Sequence, residues 1–195
     1  MRGQRRHNIV FLLLDLYSFF LLPTYTLLFS DCVTWFSGNF SVRAVSGLDC
    51  YRGLLVLGVL LSVYYGLLLG SLALKLPGPD LRGAEFLLLG MALASLLLGL
   101  PVPYLPETYP HLAQLHSILT FSASFWLMAA LLFLLLAFRR EDKKCDLLFG
   151  GWCVIASVSA VLFFLLGKIS GALEIFFVLS TVWLTRRLWL QRFRL

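Results

Sequence analysis

Six stretches of almost uninterrupted apolar residues alternate along the chain with short polar segments. Each stretch has close to the roughly 20 residues that a helix needs to cross the hydrocarbon core of a bilayer. A helix also pairs its own backbone groups, as lipid requires, and the alternation typical of a membrane β-barrel is absent. The pattern therefore predicts an all-α polytopic membrane helix bundle, with one domain over 1–195. The six predicted transmembrane helices cover approximately residues 8–30, 53–76, 84–103, 114–138, 147–167 and 171–190.

The positive residues lie almost entirely on one side of this predicted bundle. Of 16 Lys and Arg residues, all but three fall in the N-terminal tail, the second and fourth loops, and the C-terminal end. The three exceptions are Arg43, Arg52 and Lys168. Because positive residues are retained on the cytoplasmic side, we expect both termini in the cytoplasm. We also expect an integral, multi-pass protein of the cell (plasma) membrane.

The composition agrees with a membrane location and argues against a nucleic-acid partner. Hydrophobic residues make up 60% of the 195 residues and charged residues 13%, whereas soluble domains have about half and a quarter. The net charge of +6 is distributed in short clusters between apolar runs, which is typical of charges that set topology. The basic N-terminus runs into an apolar stretch too long for a cleaved signal peptide, so we interpret it as a retained first helix.

The cysteines predict one disulfide and no metal or redox site. None of them forms a C-x-x-C pair, so we expect neither a metal nor a cofactor. Cys32 and Cys50 lie in the first outer loop, on the oxidising side, and we predict that they are bridged. Two free thiols at the ends of neighbouring helices are the alternative.

Two predicted helices carry narrow stripes of small residues. Small residues let helix backbones approach closely in lipid, so we expect both stripes to be contact seams within the bundle. A homo-oligomer, or a partner membrane protein bound through these faces, is the alternative. The first stripe consists of Gly58, Ser62, Gly66 and Gly70, and the second of Gly150, Cys153, Ser157 and Ala160.

Two acidic residues lie within or beside the cytoplasmic halves of predicted spans. Ionisable residues inside a membrane are costly and are therefore candidates for function. Asp15 lies about 10 Å into the first helix, at 1.5 Å per residue, and is an intramembrane acid. Glu85 lies at the inner end of the third helix, where we expect its side chain to reach the interface.

His116 and Glu174 open the fourth and sixth predicted helices from the outer side. Each heads a polar seam along one helix face: Thr120 follows His116, and Thr181 and Thr185 follow Glu174. Helical periodicity places each seam on one side, and we expect both seams to face the bundle. His116 and Glu174 should then lie at the same depth and point inward.

The first outer loop supplies further polar candidates on the same side. Asn39, Ser41 and Arg43 lie in this loop, and Lys168 precedes the sixth helix. We predict that these residues, with His116, Glu174 and Thr120, form an outer-facing polar pocket. The alternative is that His116 and Glu174 are interfacial residues satisfied by loop backbone. Asn39-Phe40-Ser41 also fits the N-glycosylation pattern.

Short motifs in this layout resemble those of a group of bacterial six-span membrane proteins of unknown function. The motifs are Asn39 and Ser41 in the first loop, Leu115-His116 at the fourth helix, and Gly171-Ala172-Leu173-Glu174 at the sixth. That group is similar in turn to the DRAM and Sfk membrane proteins of eukaryotes. The resemblance implies a multi-pass membrane protein without an established reaction.

Three functions fit these features. We expect a non-catalytic multi-pass protein, either lipid-associated or an accessory factor, with membrane lipids as partners. A small-molecule or lipid-binding carrier subunit is the first alternative. A lipid-modifying enzyme that uses His116 and Glu174 as acid and base is the second. The Gly-x-Ser-Gly pattern of rhomboid-type proteases is absent. Ceramidase-like hydrolases need several His residues for their metal, whereas this chain has only 3, and His7 lies on the opposite side from His111 and His116.

Overall fold

The computed structural model describes residues 2–31, 33–140, 143 and 145–193, and only the backbone of residues 2–8. The described parts are helical and contain no strand, which confirms the all-α fold class. A π-helical turn, Tyr17–Leu21, separates the first two helices. The helices are α1 (Arg2–Leu16), α2 (Leu22–Ser30), α3 (Phe40–Ala44), α4 (Leu48–Ala73), α5 (Pro79–Gly99), α6 (Pro110–Arg139), α7 (Cys145–Leu166) and α8 (Gly171–Phe193).

Within the part of the chain that the structure describes, five helical segments are long and apolar enough to cross a membrane. They are the continuous segment Ile9–Ser30 and the helices α4, α5, α6 and α7. By length and composition, the chain is therefore a multi-pass membrane protein. α8 is as long as the others, but its charged residues keep it outside this set. Those residues are Glu174, Arg186, Arg187 and Arg192.

Several helices begin earlier than the spans that the sequence predicted, among them α4 at Leu48, α5 at Pro79 and α6. α6 starts at Pro110 rather than near residue 114. Proline fits the first turn of a helix because its missing N–H would have no intrahelical partner there. His116 therefore lies almost two turns inside α6 rather than at its start.

α4 lies against α2, α5 and α8, and two of its tyrosines bind α8. The Tyr64 hydroxyl donates to the carbonyl of Val182 at 2.8 Å. The Tyr65 hydroxyl shares a hydrogen bond of 2.7 Å with Thr181. Thr181 and Thr185 are fully buried, which confirms that the polar seam of the last helix faces the bundle.

The small-residue stripe of α4 packs against α5. A methyl group at Gly58 would collide with the side chain of Leu100, and one at Gly66 would touch Leu93 at 3.6 Å. Because no side chain intervenes on α4, the two helices can approach closely. This stripe is a contact seam within the bundle, as predicted.

The corresponding prediction for α7 is wrong. Gly150, Ser157 and Ala160 lie on the exposed side of the helix, and Cys153 is half-buried. Among the described residues, no other element comes within 4 Å of a Cβ placed at Gly150. α7 packs through a different face, from which the Trp152 indole donates to the carbonyl of Met128 in α6 at 3.0 Å. The large indole ring buries more area than the small residues of the stripe and satisfies a hydrogen bond. Packing through the face that carries Trp152 is therefore more favourable.

The prediction that the side chain of Glu85 reaches the interface is also wrong. Glu85 is 0% exposed, and neither carboxyl oxygen has a hydrogen-bond partner among the described residues. Glu85 shares the buried face of α5 with Leu89 and Ala92, at spacings of four and seven residues. Packing of that face carries the carboxyl group into the bundle.

Three connecting segments meet at one end of the bundle, which we call the capped end: 33–47, 100–109 and 167–170. The N–H of Gly171 donates to the carbonyl of Gly38 at 2.7 Å, at the start of α8. The Lys168 ammonium donates to the carbonyl of Ser37 at 2.9 Å. These contacts attach the segment after α2 to the segment before α8.

Candidate functional site

The five-residue helix α3 brings the predicted loop residues to the capped end. Asn39 caps it, because Oδ1 of Asn39 accepts from the N–H of Val42 at 2.8 Å. Asparagine is among the preferred residues at this position. Nδ2 of the same side chain donates to the carbonyl of Ile169 at 3.3 Å. Asn39 therefore both starts α3 and ties it to the segment before α8.

Glu174 binds the first residue of α3. Its Oε2 accepts a hydrogen bond of 2.6 Å from the backbone N–H of Phe40. The first N–H groups of a helix have no intrahelical acceptor, so the carboxyl group satisfies a donor that would otherwise be unpaired. The Phe40 ring is buried and packs edge-to-face on Phe29, with centroids 5.2 Å apart.

His116 binds the second residue of α3. Its Nε2 lies 2.7 Å from the Ser41 hydroxyl oxygen. Its Nδ1 lies 2.7 Å from the carbonyl oxygen of Val102 and 3.1 Å from that of Gly99. Since a carbonyl can only accept, Nδ1 is the protonated nitrogen. In neutral imidazole Nε2 is then the acceptor, and the Ser41 hydroxyl donates to it.

A small cavity lies beside this pair. Its volume is about 10 Å³, which is room for one water molecule or a group of similar size. Ser41 and His116 both line it, together with apolar and aromatic side chains. The ring of Tyr104, another lining residue, lies 5.8 Å from the imidazole, centroid to centroid.

Within the described residues, three other predicted pocket residues make no hydrogen bond to the side chain of His116 or of Glu174. The Arg43 guanidinium donates to the hydroxyl of Ser46, in the turn after α3. Lys168 binds the carbonyl of Ser37 and is exposed. The Thr120 hydroxyl donates back to the carbonyl of His116, one turn earlier in α6. Such local bonds satisfy the hydroxyl within its own helix.

His116 and Glu174 come close to the same short helix, but no hydrogen bond joins them to each other within the described residues. They bind the adjacent residues Ser41 and Phe40. The geometry therefore does not arrange the two as an acid and base acting together. It arranges His116 with Ser41 instead.

Asp15 lies far from this site and pairs with Arg186. The guanidinium donates to Oδ1 of Asp15 from Nε at 2.9 Å and from the second terminal nitrogen at 2.6 Å. Arg186 is 0% exposed and its guanidinium carbon lies 4.7 Å from the centroid of the Trp189 ring. The charge distribution predicts that Arg186 is one of the cytoplasmic charges at the C-terminal end. In the structure it is buried, next to Thr185 of the buried seam.

The predicted disulfide remains a prediction. Among the described residues the Cys50 thiol has no disulfide partner, and it is half-buried in the first turn of α4. Its expected partner, Cys32, lies outside the described residues.

Sequence reasoning missed the groups that orient His116. The carbonyl of Gly99, the last residue of α5, also accepts from the N–H of Val102, and the carbonyl of Val102 belongs to the turn that follows. Unpaired carbonyls at a helix end are a general feature, but a sequence does not show which side chain will bind them. Tyr104, which lines the cavity beside His116, was not among the predicted pocket residues.

Comparisons with protein-family profiles, with characterised proteins and with solved structures gave no match to this chain. The described residues also contain no group of three His, Cys, Asp or Glu side chains that could hold a metal ion.

Proposed function

We propose that this chain is a six-span protein of the cell membrane, with both termini in the cytoplasm, that associates with lipids at the outer boundary of the bilayer. The observation that carries the proposal is the cavity at the capped end. It combines the polar pair Ser41 and His116 with apolar and aromatic side chains, which suits the boundary between lipid headgroups and acyl chains. The lining side chains include Tyr51, Leu54, Leu100 and Tyr104.

The partners of its charged residues support α8 as the sixth span. Glu174 binds the backbone of α3, and Arg186 is buried against Asp15. Charged residues within membrane helices face the bundle and are paired there. Two of the charges that keep α8 outside the apolar set are thus compatible with crossing the membrane.

An even number of spans places both termini on one side, and the distribution of Lys and Arg assigns that side to the cytoplasm. The capped end then faces outward. Exposed aromatic side chains there suit the interface, where amphipathic rings are enriched. They are Trp35, Phe36 and Tyr109.

The cavity also separates this proposal from the carrier alternative. Pockets for small molecules usually measure 300–1,000 Å³, whereas the space beside His116 is about 10 Å³. A lipid headgroup or ester lying along the surface needs only a small polar recess. The lipid-associated role, rather than that of a small-molecule carrier, is therefore the one that this geometry favours.

Photocrosslinking in intact membranes tests the proposal. A benzophenone amino acid replaces Tyr104 in one variant. In the control it replaces Phe164, an exposed residue of α7 near the capped end. We expect lipid adducts at 104 that are enriched in one lipid class relative to those at 164, which samples bulk lipid of the same leaflet. Absence of lipid adducts at 104, or the same composition at both positions, would overturn the proposal.

A further inference from the structure

The hydrogen bonds of His116 match those of a general base beside a nucleophile. Nδ1 is protonated and committed to the carbonyls of Gly99 and Val102. Nε2 is the unprotonated nitrogen and accepts a hydrogen bond of 2.7 Å from the Ser41 hydroxyl. A nucleophile in contact with a base, and a base oriented by a third group, is the arrangement by which enzymes activate serine.

Both side chains are held by regular structure rather than by mobile loop. His116 is 4% exposed and lies on the long helix α6. Ser41 lies on α3, which is fixed by the Asn39 cap and by Glu174. Reactive groups on supported helices keep the alignment that catalysis needs.

The cavity distinguishes this pair from a purely structural hydrogen bond. It touches both Ser41 and His116 and has room for a carbonyl oxygen or one water molecule. Ser41 itself is only half-buried. Tyr104 lines the same space, and a tyrosine hydroxyl is one of the donors that can stabilise an oxyanion.

We infer that Ser41 is a nucleophile activated by His116, and that it cleaves acyl esters of membrane lipids. The lipid part of this inference rests on the proposed outer lipid site. Apolar and aromatic lining at the bilayer boundary would admit an acyl ester more readily than a charged peptide.

The reaction balances without a cofactor. The Ser41 oxygen attacks the ester carbonyl carbon while its proton passes to Nε2 of His116. The carbon–oxygen bond to the lipid alcohol then breaks, and the alcohol leaves with the proton from His116. This step yields an acyl-Ser41 ester. Water, deprotonated by His116, attacks that ester, releases the fatty acid and restores the Ser41 hydroxyl.

In this scheme Ser41 and His116 are catalytic residues, and Glu174 is a positioning residue. Glu174 holds the N–H of Phe40, directly before Ser41. This positioning role of Glu174 differs from the alternative in which His116 and Glu174 act together as acid and base.

Labelling of the full-length protein in detergent with an alkyl fluorophosphonate tests for the nucleophile. We expect mass spectrometry to find the phosphonyl group on Ser41, formed with loss of fluoride. His116→Gln keeps groups able to hydrogen-bond Ser41 but removes the base, and should slow labelling by about 10²–10⁴-fold. Ser41→Ala should abolish it. Ser46→Ala is the matched control, because Ser46 binds Arg43 rather than an imidazole, and should label like the wild type.

A structural role for the Ser41–His116 bond gives a different result. The wild type would then show no adduct at Ser41, or His116→Gln would label as fast as the wild type, and either outcome would overturn the inference. Retention of a cooperative melting transition by His116→Gln excludes loss of the fold as the cause of slow labelling.

The substrate class is tested separately in vesicles of phosphatidylglycerol and phosphatidylcholine with labelled acyl chains. Wild-type protein should release more fatty acid than Ser41→Ala. Release at the level of Ser41→Ala overturns the assignment to these lipid esters. The fluorophosphonate has no lipid headgroup, so labelling reports the nucleophile even if crosslinking at Tyr104 contradicts the lipid site.

Discussion

Arg186 illustrates how one buried charge is accommodated at the level of single residues. Its guanidinium is fully buried, whereas the Asp15 side chain is 32% exposed. The guanidinium also donates to the carbonyl of Phe11 at 3.1 Å and lies over the Trp189 ring. Removing one partner of such a pair leaves an uncompensated charge in a low-dielectric interior, which costs more than the pair itself contributes.

Asp15→Ala should therefore lower the free energy of unfolding by about 2–3 kcal/mol, somewhat less than for a fully buried pair because Asp15 is partly exposed. Asp15→Ala with Arg186→Met removes the orphaned charge and should recover part of the loss. Chemical unfolding in detergent measures both. A double variant as unstable as the single variant would show that the pair is not the relevant interaction.

Glu174 should control the order of α3. Glu174→Ala leaves the buried N–H of Phe40 without its acceptor and should cost about 1–3 kcal/mol. Glu174→Gln keeps an acceptor oxygen and should cost much less. Hydrogen exchange of the peptide covering residues 36–44 should rise in the alanine variant and stay near wild type in the glutamine variant. Equal exchange in both would mean that the carboxyl group does not hold α3.

At the scale of elements, the seam between α4 and α5 depends on where each glycine meets its neighbour. Gly58 faces the side chain of Leu100 at a distance that leaves no room for a methyl group, whereas a methyl at Gly70 would lie 3.9 Å from Phe86. Leu100 also lines the cavity beside His116. The two glycines share one stripe, but only one of them is sterically required.

Gly58→Ala should destabilise the protein by about 1–3 kcal/mol through overpacking, and Gly70→Ala should leave the melting temperature unchanged or raise it slightly. Thermal melts of the two variants in the same detergent give the comparison directly. Gly58→Ala should also slow labelling of Ser41 if displacement of Leu100 disturbs the cavity. Equal stability of the two variants would contradict the close approach at Gly58.

At the scale of the whole molecule, the proposed topology predicts which loops an external reagent can reach. In a background with the four cysteines replaced by serine, Glu107→Cys should react with a membrane-impermeant maleimide on intact cells. Lys143→Cys should react only after permeabilisation. Both positions are exposed in the structure, so burial does not limit either reaction. The opposite labelling would reverse the orientation.

The sequence alone determined the helical class and the approximate positions of the long helices, because the lipid requires apolar runs of a fixed length with internally paired backbones. It also predicted that Thr181 and Thr185 face the bundle, since helical periodicity places them on one side. It did not predict that Glu85 is buried or that the stripe on α7 is exposed. Both depend on which face of a helix meets a neighbour, and several faces of an apolar helix can compete for that contact.

Only the tertiary structure decided how the polar residues combine. His116 and Ser41 are 75 residues apart in the chain, and Asp15 and Arg186 are 171 apart. The type of a polar residue and its position in an apolar helix show that its side chain needs a partner, because an unpaired buried polar group is costly. They do not show which group will be that partner. The partner depends on which helices are neighbours in the bundle and on where segments such as 33–47 contact it.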